Sequence, residues 1–257
     1  MVDQPTPGRL TGKRIFLTGA AQGIGLAIAK ACLAEGASLL AVDRDGATLA
    51  GALPQSDRLA LATIDITDRA GIEAAMAGSS IGPINAVINN AGINVFGPPL
   101  QTSDADWDRA FDVNVKGAWN CIRAALPGMI AAGGGAVLNI ASTHSFTVIP
   151  GSFPYPVAKH ALLGLTKSLA LEFAPQGVRV NALAPGYVLT QKTLDWWATF
   201  PDPQAARAAT MALHPGGRIA TPEEIAKAAV FLISDEVPFM TAACLVVDGG
   251  LGTLQHA

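Results

Sequence analysis

Apolar positions along the chain fall into two alternating patterns. Short unbroken runs, "RIFLTG", "ASLLAVD", "LALATID", "INAVINNAG", "GGAVLNIAS", "VRVNALAPG" and "ACLVVDGG", are rich in strand formers and end in Gly, Asp, Asn or Ser. Continuous apolar runs suit strands buried on both faces, which implies a parallel sheet. Between them lie segments of helical period. "GIGLAIAKACLAEGA" is one, and "WDRAFDVNVKGAWNCIRAALPGMI" reads as a single long helix with Trp107, Phe111, Val115 and Trp119 at i+4 steps before Ile122 and Leu126. That stripe predicts a packing face with its tryptophans in the core. "TPEEIAKAAVFLIS" opens with Thr221, Pro222 and Glu224, a capping box with proline at the first helical position. Only 189–217, "LTQKTLDWWATFPDPQAARAATMALHPGG", breaks the alternation, and long excursions of this kind are often lids over substrates. The pattern predicts a single α/β domain over 1–257, a doubly wound parallel sheet of about seven strands flanked by helices, with a lid inserted near 189–217.

Composition narrows the partners. With 257 residues, 50% of them hydrophobic, the chain can bury a full core. Seventeen Lys and Arg against twenty Asp and Glu, with no basic block, give no electrostatic reason to bind nucleic acid or an anionic membrane. Small-molecule partners are expected. Cys32, Cys121 and Cys244 are odd in number and widely spaced, as ordinary thiols of a reducing compartment are. "MVDQPTPGRL" lacks the apolar stretch of a signal peptide and no run reaches the length of a membrane span, so a cytoplasmic location is expected.

The first strand-helix junction, "FLTGAAQGIGLAIAKA", spaces Gly19, Gly23 and Gly25 so that a pyrophosphate can approach free helix N–H groups without meeting a Cβ. The second strand ends at Asp43, whose carboxylate suits a ribose diol and repels a 2'-phosphate, favouring NAD. Arg44 comes directly after it and leaves NADP or dual use open. Asp65 ends the third strand near the expected adenine, or is simply a solvated strand end. "INNAG" at 88–92 offers small residues beneath a cofactor, and side-chain bonds from Asn89 that would tie neighbouring loops together.

"YPVAK" places Tyr155 and Lys159 one helical turn apart, and Ser142 of "IASTH" stands thirteen residues earlier. A tyrosine that titrates near 10 is a poor base, and a nearby ammonium is expected to lower it. Ser142 would hold the substrate oxygen from the other side. Asn114 has poor helix propensity and suits a water linking the lysine to solvent.

These motifs together resemble the short-chain dehydrogenase/reductase family from about residue 10 to residue 250, a Rossmann-like fold: "TGAAQGIG" its cofactor loop, "NNAG" its sheet-stabilising motif, "YPVAK" its Y-x-x-x-K signature. The resemblance implies a catalytic tetrad of Asn114, Ser142, Tyr155 and Lys159, the last also holding the nicotinamide ribose. It implies cofactor contacts from Gly19, Gln22, Gly23, Ile24, Gly25, Asp43, Asp65, Ile66, Asn89, Ala91 and Gly92. From "PGYVLT" it adds Pro185, Gly186, Val188, with its backbone toward the carboxamide, and Thr190. It also implies a homotetramer. His144, two residues beyond the serine, serves either a substrate hydroxyl or its own loop, and the lid's Asp195, Trp196 and Trp197 complete a set suited to a sugar. "STHSFT", "LDWW" and "LHPGGRI" resemble those of bacterial enzymes oxidising galactose, fucose or arabinose, or related deoxy sugar acids. An NAD-dependent aldose 1-dehydrogenase forming the lactone is expected. No metal is expected, since His144, His160 and His214 form no ligand arrangement. Alternatives are a deoxy sugar acid or polyol dehydrogenase, a reductase of 3-oxoacyl thioesters or other ketones, and a catalytically silent NAD-binding scaffold.

Overall fold

The computed structural model describes residues 8–253. All seven apolar runs form strands. β1 (Arg14–Thr18) leads into α1 (Gly23–Ala34), β2 (Ser38–Asp43), α2 (Gly46–Ala52), β3 (Leu59–Thr63), α3 (Arg69–Ala77) and β4 (Ala86–Asn89). A short β5 (Phe96–Gly97) precedes α4 (Asp104–Phe111), a π-helical turn at Asp112–Gly117, α5 (Ala118–Ala131) and β6 (Gly135–Ile140). After β7 (Phe153–Pro154) come α6 (Tyr155–Phe173), β8 (Val178–Pro185), α7 (Gln191–Ala198), α8 (Pro203–Ala212), α9 (Pro222–Ile233) and β9 (Cys244–Val247).

The main sheet is parallel with strand order β3-β2-β1-β4-β6-β8-β9. The chain winds outward through β2 and β3, then crosses back beside β1 to start the other half. Strand order therefore reverses between β1 and β4, where the loops leaving the carboxyl ends diverge and open a crevice. Alternation within each apolar run serves two cores. Ile15 and Leu17 of β1 pack with Ile28, Ile225 and Val230 of α1 and α9, while Phe16 between them packs with Ile72, Ile122 and Leu169 of α3, α5 and α6. Each such side chain contributes about 1.5–3 kcal/mol on full burial.

α9 starts as its sequence predicts: Glu224 N–H donates to Thr221 Oγ1 and Thr221 N–H to Glu224 Oε2. The long helix differs from expectation. Its i+4 stripe crosses the π turn, which widens the helix and shifts the phase of the residues beyond it. Ile122 and Leu126 are buried, whereas Trp107 is 37% exposed, stacks on Phe111 at a centroid distance of 4.7 Å and meets Phe153 at a tilt at 5.7 Å. The core reading of Trp107 is thereby corrected.

Candidate active site

The loops at the carboxyl ends of β1, β2, β3, β4, β6 and β8, together with the start of α7, line one cleft of ≈ 350 Å³. Gly19, Gln22, Gly23, Ile24 and Gly25 line it from the β1–α1 turn, Asp43, Asp65 and Ile66 from the ends of β2 and β3, and Ala91, Gly92, Asn114, Ser142, Tyr155 and Lys159 line it as well. Pro185, Gly186 and Thr190 bound the side nearest the lid.

Gly19 and Gly23 have φ of +67° and +56°, left-handed values that side chains resist. A Cβ on Gly25 would stand 1.9 Å from Gly19 O, so α1 can approach β1 this closely only with glycine there. Asp43 Oδ2 accepts from Ala21 N–H and Oδ1 from Asp45 N–H, which ties the carboxylate to the glycine turn. Asp65 Oδ1 accepts from both the backbone and the hydroxyl of Thr67, and these bonds hold its carboxyl below the usual range.

Asn114 sits in the π turn. Its Nδ2 donates to Ala110 O and Ile93 O while its Oδ1 accepts from Ile93 N–H, so the amide fastens the segment after β4 to the helix. The side chain's first use is this clamp, and one Oδ1 lone pair remains for water. Gly92 makes the clamp possible: a Cβ there would lie 2.8 Å from Asn114 Oδ1 and 3.7 Å from Lys159 Nζ.

α6 begins at Tyr155, which places its phenol beside Ser142 and, one turn on, Lys159. Lys159 Nζ donates to Ile140 O at 2.9 Å and lies 5.6 Å from the Tyr155 ring centre. Burial disfavours both charged forms, pushing Tyr155 up to about 12 and Lys159 down to about 8, while the Ser142 hydroxyl pulls the phenol slightly back. The expected lowering of the phenol by the ammonium is not found: desolvation raises Tyr155, and only the Ser142 hydroxyl works against it. Phe96, brought in by the β5-β7 pair, and His144 meet the Tyr155 ring edge-on at 5.4 and 5.7 Å. The Nδ1 of His144 is buried without a partner, and desolvation lowers the ring's pKa.

Two assignments change, those of Asn89 and Trp197. Asn89 does not line the cleft; it is buried and donates to Asn139 Oδ1 and Ala118 O, bridging β4 to β6 and α5. Its neighbour Asn90 faces the cleft instead and donates to Thr18 O and Gly19 O. Val188, expected to reach the cofactor through its backbone, buries its side chain in the core, and its carbonyl accepts from Thr190 N–H and the Thr193 hydroxyl. Trp197 is 3% exposed, donates its indole N–H to Thr210 Oγ1 and lies under the Arg207 guanidinium, so it fastens α7 to α8 and is closed to substrate. Trp196, one residue back, is 42% exposed and stacks on Tyr187 at 6.0 Å. The Asp195 carboxylate accepts from the Gln191 amide. Cleft residues without a sequence signal include Asn94, Val113 and Lys192.

Residues 19–252 match a family model described as enoyl-(acyl carrier protein) reductase. The chain belongs to the short-chain dehydrogenase/reductase family. It is 40% identical over 252 residues to 2-(S)-hydroxypropyl-CoM dehydrogenase 3 of Xanthobacter autotrophicus, covering 95% of this chain and 98% of that protein. Galactitol 2-dehydrogenase (L-tagatose-forming) of Cereibacter sphaeroides is 39% identical over 260 residues, covering 97% of this chain and 98% of that protein. The ligand-free structure of an aldohexose dehydrogenase from Thermoplasma acidophilum matches with a TM-score of 0.88 at 31% identity, covering 97% of this chain and 98% of that one. The protein is an oxidoreductase of CH–OH groups that uses a nicotinamide dinucleotide.

The cleft fits that cofactor on its own features. In the turn between β1 and α1, Gly19 and Gly23 bring no Cβ to the approach to α1, and α1 has no side-chain cap on its first N–H groups, leaving them free for a phosphate. When bound, a nicotinamide ring supplies the hydride acceptor or donor. The chain would handle the proton: Tyr155 Oη is placed to take it from, or return it to, a substrate oxygen that the Ser142 hydroxyl would hold. Lys159, fixed by Ile140 O, would place positive charge beside the phenol as it ionises.

Proposed function

We propose that the protein is an NAD-dependent sugar dehydrogenase, oxidising the anomeric hydroxyl of an aldose of the galactose, fucose or arabinose type to the lactone. The observation that carries the cofactor choice is the Asp43 carboxylate at the end of β2, on the cleft wall and tied to the glycine turn, where it would accept from a ribose diol and repel a 2'-phosphate. Substrate choice rests on the polar groups beside the phenol, Ser142 and His144, with the exposed Trp196 face on the lid, and on relatives whose names describe aldohexose and galactitol dehydrogenases. Polyols and deoxy sugar acids would present a secondary alcohol, in place of the anomeric hemiacetal hydroxyl, to the same groups.

A second reading has its own support. Phe146, Val148 and Ile149, in the loop after Ser142, are 52, 66 and 51% exposed, and an apolar rim suits an alkyl ketone or 3-oxoacyl thioester. Arg44 on the cleft wall would then favour the phosphorylated cofactor. A cytoplasmic homotetramer is part of the proposal: Val157 and Leu171 on α6 and Trp107 on α4 leave apolar side chains that paired helices would cover.

Absorbance at 340 nm with a panel of aldoses, polyols, hydroxy acids and a 3-hydroxyacyl thioester, each with NAD and NADP, separates the readings. Selective turnover of an aldose with NAD, with lactone as product, supports the first. Silent sugars and a reactive thioester with NADP would replace it with the second.

A further inference from the structure

Three cationic side chains line the cleft: Arg44, Lys159 and Lys192. Two of them have evident places. Arg44 stands next to Asp43 at the adenosine end, and Lys159 is buried on Ile140 O beside Tyr155. Lys192 belongs to the first turn of α7, on the excursion that forms the lid, and is exposed with no ion-pair partner among the described residues. Its neighbours fix its address. Thr190 caps α7 through Thr193 N–H, and a Cβ built on Gly23 would lie 3.4 Å from Thr190 Cγ2, so the start of the lid touches the glycine turn. Gln191, the other polar side chain there, spends its amide on Asp195.

A dinucleotide carries two negative charges on its diphosphate, and the glycine turn offers backbone N–H groups and the neutral Gln22 amide but no cation to meet them. Lys192 is the one cation of the cleft that is neither buried at the phenol nor seated by the ribose carboxylate. We propose that Lys192 is a cofactor-holding residue, a latch by which the lid's α7 pairs with the diphosphate of the bound dinucleotide. The inference rests on the nicotinamide-dinucleotide assignment and is independent of the sugar reading. Because NAD and NADP share the diphosphate, the latch strengthens both equally, whereas Arg44 and Asp43 distinguish them. Pairing through an exposed ammonium also makes cofactor affinity fall with salt.

Calorimetric titration of ADP-ribose and of adenosine into the full chain tests this, with Lys192→Ala and Lys192→Arg alongside. Lys192→Ala is expected to weaken ADP-ribose about tenfold at low salt, the scale of one lost hydrogen bond to a charged group. Adenosine, lacking phosphate, binds the variant as it binds the wild type; Lys192→Arg retains most of the ADP-ribose affinity. Raising sodium chloride from about 50 to about 500 mM closes the gap between wild type and Lys192→Ala. In hydrogen exchange, ADP-ribose protects 191–198 in the wild type and not in Lys192→Ala. The proposal is overturned if ADP-ribose binds Lys192→Ala within about twofold of wild type, a difference too small for a lost charged contact. It is equally overturned if adenosine loses as much as ADP-ribose. Wild type that binds neither probe would remove the dinucleotide assignment along with the latch, a result distinct from tight binding that ignores Lys192.

Discussion

Replacing Lys159 by methionine should abolish turnover and yet stabilise the ligand-free protein. The ammonium is 5% exposed, and burial drops its pKa from 10.5 to about 8. That shift of about 2.5 units corresponds to about 3.4 kcal/mol against the charged form in the folded state. Because the folded pKa is depressed, the full cost is present below about pH 8 and is relieved as pH rises from 8 toward 10.5, where the unfolded chain still holds the proton. Methionine fills similar volume without charge but strands Ile140 O, at a cost of about 1.5 kcal/mol. At pH 7 the variant therefore gains about 2 kcal/mol, which raises Tm by roughly 4–8 °C in a chain of this size. At about pH 9.5 the wild type retains a penalty of only about 1.4 kcal/mol and the gain falls to about zero. Scanning calorimetry of ligand-free wild type and Lys159→Met at both pH values reads these differences directly. A variant less stable at pH 7, or one stabilised equally at both pH values, would refute the reasoning.

Other perturbations probe separate walls of the cleft. Asp43→Ala should lower the ratio of NAD to NADP efficiency about tenfold through loss of the ribose carboxylate; an unchanged ratio of kcat/KM would mean the ribose is read elsewhere. Gly92→Ala pushes a methyl against Asn114 Oδ1 and toward Lys159 Nζ, and should cut kcat about tenfold or more. An unaltered kcat would show that this approach is not needed. Trp196→Ala should raise KM for substrate with little change in Tm, whereas Trp197→Ala leaves Thr210 without its donor and loosens α7 from α8, lowering Tm by several degrees; the reverse pattern would contradict the lid geometry.

The inner strands were readable because their apolar runs meet a core on both faces, while the edge strands β3 and β9, with Leu61 and Val246 exposed, kept enough apolar residues to read the same way. Gly19, Gly23 and Gly25 were equally legible, since side chains resist the left-handed backbone of the first two and the closeness to β1 of the third. What escaped the sequence depended on partners far along the chain. The π turn around Asn114 is held by the backbone of Ile93, twenty-one residues earlier, and no local pattern announces it. Which asparagine of "INNAG" faces the cleft is decided by strand register: adjacent residues point to opposite sides, so Asn90 meets Gly19 while Asn89 turns toward Asn139. Trp196 and Trp197 are likewise neighbours on one helix, and only the docking of α8 through Thr210 decides which of them is buried.

Everything in the mechanism turns on Tyr155 moving the proton in a cleft built for a nicotinamide dinucleotide, and a Tyr155→Phe variant isolates that role. Turnover of the best substrate and calorimetric binding of NADH would be measured on wild type and variant together. Loss of turnover with NADH affinity near wild type is expected, because the change removes the proton carrier and little of the cofactor wall. Turnover that survives the substitution would mean that some other group carries the proton.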